Sequence, residues 1–342
     1  GLPNEPELKV EDVPVETVVE DIKEEPKEVE VTETADGGAE ISFDPNAVEP
    51  VSSSHSQNLA ELLDDAILDP LGSKLVDDYK DYRSSRKDWE DCYRNGLDLL
   101  GFKYERRTEP FRGASGVTHP VLSEAVTQFQ AQAYKELLPS DGPVRTQILG
   151  VQTPQKQDQS NRIKDFMNYQ IMDQMKEYEP EFDQMLFYLP LSGSTFKKVY
   201  YDDLLGRAVS KFIPADDLVV PYSATSLDDA EAVVHVIKMS ENDLRKQQVN
   251  GFYKDVDLAQ PAMQTDDITK KEQEIEGVKQ TKQDDIYTLL ECHVNVDLEG
   301  FEDMGADGMP TGIKLPYVIT VEEGSRQVLS IRRNYKEGDS KK

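Results

Sequence analysis

The chain contains 342 residues, with 67 Asp and Glu against 38 Lys and Arg, and its formal net charge is −29. This acidic balance argues against a protein that grips nucleic acid by neutralising phosphates, whereas it is compatible with a passage along which DNA slides. The two cysteines, Cys92 and Cys292, are too far apart in sequence to indicate a disulfide framework or a zinc site. Neither a long apolar run nor a signal-peptide pattern occurs, so we expect no membrane span and no signal peptide.

Residues 1–57 are predicted to form a disordered acidic tail that ends in a serine-rich linker. The first 50 residues hold 16 Asp and Glu against 3 Lys, so they contribute 16 − 3 = 13 of the 29 net negative charges. A segment this charged, with scattered prolines, buries too little apolar surface to offset the entropy of ordering. The Val-Glu alternation around Val29–Thr32 leaves open a strand formed on a partner, but a solvated tail is the favoured interpretation.

Residues 58–192 are predicted to be helical. Apolar residues recur at helical spacing over Leu59–Ile67, and Asp69–Pro70 should end that helix. A longer helix is predicted over Leu75–Leu100. Its Trp89 is interpreted as a packing residue, although a tryptophan beside arginines can also stack on a nucleic-acid base.

Further helices are predicted before Pro139 and over Thr153–Tyr178, where Glu179–Pro180 should interrupt the pattern. A last buried helix, Phe182–Leu189, should end at Pro190. The Thr153–Tyr178 segment repeats apolar residues at steps of three and four, and its methionines favour a core or subunit interface over a ligand site. The repeating residues are Ile163, Phe166, Met167, Ile171, Met175 and Tyr178.

Three polar side chains are predicted to cap helix N-termini. Asn58 precedes the first apolar repeat, Thr118 precedes the helix that ends at Pro139, and Ser240 precedes a short helix in the second half of the chain. Asp243 occupies the capping-box position relative to Ser240, where glutamate or glutamine is preferred.

From residue 193 the hydrophobic period changes from 3.6 to 2, which predicts a β-rich module with a short helix over 193–253. A polar insertion over 254–285 separates it from a β-hairpin region over 286–342. The fold class expected is therefore α+β, with long helices followed by small β-rich modules. The predicted strands are Thr195–Asp202, Ala208–Ile213, Ala232–Met239, Ile286–Leu298, Lys314–Val321 and Gln327–Arg333.

No residue pattern selects an enzyme. The sequence lacks the glycine-rich phosphate-binding motifs and the nucleophile elbow, and paired acids carry little weight in a chain this acidic. The four histidines show no metal-binding spacing, so each is assigned to a linker, a helix entry or a strand. We therefore expect no catalytic residue, no cofactor and no metal. The histidines are His55, His119, His235 and His293.

Three blocks of sequence, taken in order, resemble the portal proteins of short-tailed (podovirus) bacteriophages, which are ring-shaped head-to-tail connectors. The first is FRGASGVTHPVLSEAVTQFQAQAYKELLP, over residues 111–139. The second runs from Gly193 to His235 and contains PADDLVVPYSATSLDDA. The third, LPYVITVEEGSRQVLSIRRNYKEGD, runs from Leu315 to Asp339. Together they cover about a hundred residues, and the resemblance rests on their order and character.

The resemblance implies a homo-oligomeric ring of about twelve copies at one capsid vertex of the virion, assembled in the host cytoplasm. Such a ring docks the terminase and then a tail adaptor protein, contacts scaffold or capsid protein, and passes double-stranded DNA without sequence specificity. It has no enzymatic activity and no membrane partner. Portal proteins carry more chain after the IRRNY-like strand, so the resemblance covers an N-terminal portion, with residues 58–192 as the wing-like region.

Two basic clusters stand out in this acidic chain. Arg106, Arg107 and Arg112 precede the helix that ends at Pro139, and Arg332 and Arg333 end the last predicted strand. We expect these residues to contact either DNA or the acids of a neighbouring subunit, and favour the neighbouring subunit. Two other functions stay open: a capsid or scaffold assembly protein that is not a portal, and a DNA-packaging hydrolase.

Overall fold

The computed structural model describes residues 57–100, 111–113, 119–202, 205–258, 268, 286–305 and 309–334, and the backbone of two strands near the N-terminus. Those strands, β1 (Glu30–Glu33) and β2 (Ala39–Ser42), pair antiparallel as a unit of their own, with Val31 opposite Ile41. The Val-Glu alternation therefore pairs within the chain. The rest of the predicted tail and most of the predicted polar insertion lie outside the described residues.

The main sheet contains five antiparallel strands in chain order. Their positions agree with the predicted strands to within a few residues, apart from the first, a two-residue strand that hydrophobic period cannot detect. The described chain is therefore a mixed α+β fold, as expected. The strands are β5 (Leu218–Val219), β6 (Ala232–Ser240), β7 (Ile286–Val296), β8 (Leu315–Glu322) and β9 (Val328–Arg333).

The sheet is covered on both faces. One face packs against a 3-10 turn at Leu59–Glu61 and helix α1 (Asp65–Ser85), with the side chains of Leu75 and Val76 buried in that core. A smaller core around Tyr253 covers the other face, beside a short helix that Ser240 caps as predicted, accepting a hydrogen bond from the Asp243 N–H at 3.2 Å. Burial on both faces explains why β8 is apolar almost throughout.

The predicted first and second helices have the wrong boundaries. Pro70 does not end a helix, because α1 runs through it to Ser85. The burial of its apolar stripe on the sheet stabilises the helix by more than one lost backbone hydrogen bond costs. The predicted Leu75–Leu100 helix is two helices, which meet at Arg86, and the second is α2 (Lys87–Leu99).

A second body consists of helices α2, α3 (Val121–Leu137) and a later helix, α5 (Tyr178–Ser192). Its core includes Val126 of α3 and Leu97 of α2. Helix α3 leaves part of its apolar surface uncovered, because its Phe129 is substantially exposed. Thr118, the predicted cap of this helix, lies outside the described residues.

Two strands, β3 (Phe196–Asp202) and β4 (Arg207–Ile213), form a separate antiparallel ribbon beside α5. The Glu181 carboxylate of α5 accepts a hydrogen bond from the Phe212 N–H on β4. Tyr188 stacks on Phe212 with ring centroids 5.9 Å apart. The ribbon therefore belongs with the helical body and shares no backbone ladder with the five-stranded sheet.

The predicted Thr153–Tyr178 helix is shorter than expected. Helix α4 (Pro154–Tyr169) begins at a Thr153 cap and passes into a π-helical turn at Gln170–Gln174. Pro180 lies in the first turn of α5, where a missing backbone N–H is tolerated. It therefore belongs to the start of α5 and does not interrupt a helix. Pro190 does not end its helix either, because α5 continues to Ser192. Gly193 follows as the C-terminal cap, in the left-handed conformation with φ of 80°.

Candidate assembly surface

Residues 143–176, called the α4 arm here, comprise a connecting segment, helix α4 and the π-helical turn. Hydrogen bonds tie the helix to its own connecting segment. Asn168 Oδ1 accepts from the Val144 N–H at 2.9 Å, and Ser160 Oγ lies 2.8 Å from Thr146 Oγ1. Polar side chains therefore face the protein along this part of the helix.

The apolar side chains of α4 are exposed beside this polar side, and Phe166 lies farthest from it around the helix. Ile163, Phe166 and Met167 lie at i, i+3 and i+4 and are 45%, 58% and 41% exposed, and the helix has no buried residue. An amphipathic helix of a monomer normally turns such a stripe to the core. Leu149 and Val151 of the connecting segment extend the same apolar character. A concentration of exposed apolar side chains on one segment is typical of a protein–protein contact.

The sequence predicted this stripe, with a core or a subunit interface as its role. The structure separates its members, since Ile171 and Met175 are half-buried while Ile163, Phe166 and Met167 face outward. The helical period gave the spacing of the apolar residues. It carries no information on which side of the helix the rest of the chain covers.

Of the five predicted arginine contacts, the structure describes three, Arg112, Arg332 and Arg333. Arg106 and Arg107 lie outside the described residues, and Arg112 is exposed. The guanidinium of Arg332 lies 4.4 Å from the ring centroid of Phe252 and donates to the Phe252 carbonyl at 3.2 Å. That of Arg333 lies 5.0 Å from the ring centroid of Tyr317. As adjacent strand residues, these two arginines point to opposite faces of the sheet.

A partly buried carboxylate joins the ribbon to the main sheet. Glu291 on β7 pairs with the ammonium of Lys198 on β3. The same carboxylate oxygen lies 3.0 Å from Nε2 of His293 and 3.9 Å from Nδ1 of His235. Burial alone would raise its pKa, but these two histidines and Lys198 hold the pKa of Glu291 well below its usual range. The cluster is a structural junction with the lysine as its cation.

The sequence missed this junction. Alternation places Glu291 and His293 on one face of β7, which was available from spacing alone. His235 joins them because β6 pairs with β7 in the register that sets it opposite Glu291, and register is a tertiary property. Across the described part of the chain, no group of three or more His, Cys, Asp or Glu is arranged to hold a metal ion.

Comparison with known proteins places the chain in no family. No family model matches the sequence, and no curated protein matches it. Among the helices that the structure describes, none combines the length and the apolar character needed to cross a membrane. The functional argument therefore depends on the surface described above and on the residues of the chain.

Proposed function

We propose that the chain is a subunit of a phage portal, a ring at one capsid vertex through which the genome is packaged and ejected. The observation that carries this proposal is the exposed apolar face of the α4 arm, which is typical of a protein–protein contact. The order of the three sequence blocks supports a portal in particular. In this proposal residues 58–192 form the wing-like region, and the β-rich modules follow it.

The charge of the chain suits the mechanism of a conduit. A net charge of −29 in each copy gives a ring whose field repels the DNA phosphates, so the duplex is not held at fixed positions. In this proposal Arg112, which is exposed, contacts a neighbouring subunit or contacts DNA transiently. Terminase, tail adaptor and scaffold or capsid protein are the proposed partners at the outer surfaces of the ring.

A capsid or scaffold assembly protein without a channel remains the second candidate, since the same exposed face would also serve it. A packaging hydrolase is less well supported, because the sequence has no phosphate-binding loop. Closure of a ring distinguishes the first two candidates. A heterologous contact closes into a ring when its rotation allows, and otherwise produces open filaments or irregular assemblies.

Negative-stain electron microscopy combined with light scattering tests the proposal. We expect closed rings of about twelve copies with a central channel when the protein is concentrated. A chain that stays monomeric at every concentration would contradict the portal function and the scaffold alternative together. Filaments or shells without a channel would support the scaffold alternative.

A further inference from the structure

We propose that the α4 arm of one copy docks into a groove on the neighbouring copy, between helix α1 and strands β6 and β7. This inference rests on the proposed function, because it names the contact that would build the ring. The occupant of the groove is a second copy of this chain, and the contact is heterologous, joining two different surfaces.

The arm carries a charge opposite to that of the chain. Residues 143–176 hold five Lys and Arg against three Asp and Glu, a net charge of +2, so the remaining residues carry −31. Arg162 lies one turn before Phe166 on the outward face; its side chain is 75% exposed and pairs with Asp158 at 3.3 Å, an exposed ion pair that docking can exchange for the acids of the groove. The outward face of the arm is therefore apolar with a basic flank, which complements an acidic surface that has an apolar floor.

The groove offers such a surface. It has a volume of about 440 Å³, and Leu71 of α1 and Val294 and Val296 of β7 contribute its apolar lining. Asp78, Glu231 and Asp297 supply acids around it, against Lys74 and Lys314. An aromatic side chain such as Phe166 can enter the apolar part while Arg162 meets the acids.

Packing of one arm against the same arm of another copy fits the charges less well. Such an isologous contact brings two surfaces of net +2 together and closes a dimer after one step. Docking on the acidic remainder of another copy joins opposite charges. It also leaves each copy with one free arm and one free groove, so that further copies can be added.

Disulfide trapping tests the contact in the full chain. Phe166→Cys on the arm is combined with Lys314→Cys at the groove, in a Cys92→Ser background that removes the exposed native thiol while Cys292 stays buried. Oxidation should give a covalent ladder that extends beyond dimers. Mixing the two single variants should give dimers only, because each copy then has one reactive surface.

The matched control replaces the arm position by Tyr222→Cys, a side chain that is 85% exposed outside the arm, and should give no ladder. A second pair, Ile163→Cys with Lys74→Cys, repeats the test at independent exposed positions if the first pair fails to fold. Loss of the ladder in both pairs, from protein that light scattering shows to be oligomeric, would overturn the groove contact and leave the portal function standing. Self-cross-linking of Phe166→Cys alone would overturn it in favour of the isologous contact. A monomer at all concentrations would overturn both proposals.

Discussion

The side chain of Asn58 occupies the place of a strand residue beside β9. Its Nδ2 donates to the Leu329 carbonyl at 3.0 Å, and its Oδ1 accepts from the Ile331 N–H at 3.0 Å and from the Ala60 N–H at 3.1 Å. One buried amide therefore caps the 3-10 turn, as the sequence predicted, and also pairs with part of the edge of the sheet. That second role blocks a strand edge that would otherwise be open to pairing with another chain.

Asn58→Ala should lower the free energy of unfolding by about 2 kcal/mol, because it leaves the buried N–H of Ile331 without a partner, whereas the Leu329 carbonyl keeps the Lys254 N–H as a donor. Denaturant unfolding followed by circular dichroism measures the change. Asn242→Ala, at an exposed position outside the α4 arm, is the matched control and should change stability by less than about 0.5 kcal/mol. Equal losses in the two variants would show that the pairing with β9 contributes nothing.

Asp216 is a buried acid that costs stability at neutral pH. Desolvation, followed by the neighbouring Asp217, raises its pKa from 3.8 to about 6, and its Oδ1 has no hydrogen-bond partner. Because the folded state holds this proton more tightly, the contribution of Asp216 is fully present below pH 3.8 and is lost as pH rises through about 6. Glu291, with its depressed pKa, acts in the opposite direction and loses its contribution as pH falls.

Asp216→Asn should therefore raise the free energy of unfolding at pH 7 by about 1 kcal/mol and have less effect at pH 4. Unfolding curves collected between these pH values measure the difference from the unsubstituted chain. Glu291 is present in both proteins, so its titration cancels in that difference. The exposed Asp228→Asn should show no such pH dependence. A constant difference across the range would contradict the raised pKa.

At the scale of elements, the break between α1 and α2 is built around Arg86. Its guanidinium donates to the carbonyls of Ala215, Asp216 and Leu218 at 2.6 to 3.0 Å, and its Nε donates to Glu90 at 2.9 Å. It also lies 5.3 Å from the ring centroid of Trp89. A single planar fork thus fixes the two helices against the loop that enters β5.

Arg86→Lys should lower the free energy of unfolding by about 2 kcal/mol, since an ammonium cannot reach the carbonyls and the carboxylate in the same geometry. Thermal and denaturant unfolding measure the loss. The matched control is Arg245→Lys, where the exposed ion pair with Asp255 should contribute under about 1 kcal/mol. Equal unfolding midpoints for the two variants would show that the hydrogen bonds of the Arg86 guanidinium do not stabilise the junction between α1 and α2.

Whether an element was predicted correctly depends on whether the residues that stabilise it are close together in sequence. The strands of the main sheet were predictable because apolar residues alternate along β6 and run almost continuously along β8, and the caps Asn58 and Ser240 were predictable because capping is local. The joint at Arg86 was missed, because its stabilising partners are backbone carbonyls more than 100 residues away in sequence. The prediction that Pro70 ends a helix was wrong for the same reason, because packing on a sheet formed by residues distant in sequence keeps that helix intact.

The candidate site shows the same limit. Spacing predicted an apolar stripe in α4, and the methionines indicated an interface or a core. Only the fold shows that the polar side of this helix faces its own chain. Arg332 and Arg333 were predicted to be charged contacts because they stand out in an acidic chain. In the structure each guanidinium lies over an aromatic ring.

At the scale of the whole molecule, assembly brings together copies that carry the same large net negative charge. Copies with a net charge of −29 repel one another over a distance set by the Debye length, which is about 30 Å at 0.01 M salt and about 10 Å at 0.1 M. The arm offers only a net +2, and its attraction acts at contact distance. Long-range repulsion should therefore dominate at low salt, and the apolar contact should dominate once that repulsion is screened.

We expect the oligomers to be stronger at 0.1 M salt than at 0.01 M, the reverse of an assembly held mainly by ion pairs. Analytical ultracentrifugation across this range measures the change. Deleting residues 1–50 changes the net charge from −29 to −16, and because repulsion follows the product of the two charges, it falls to about a third. The shortened chain should thus assemble more readily at 0.01 M and respond less to added salt. If the full chain instead dissociates as salt is added, ion pairs hold the copies together, and the apolar face of the arm is not the dominant contact.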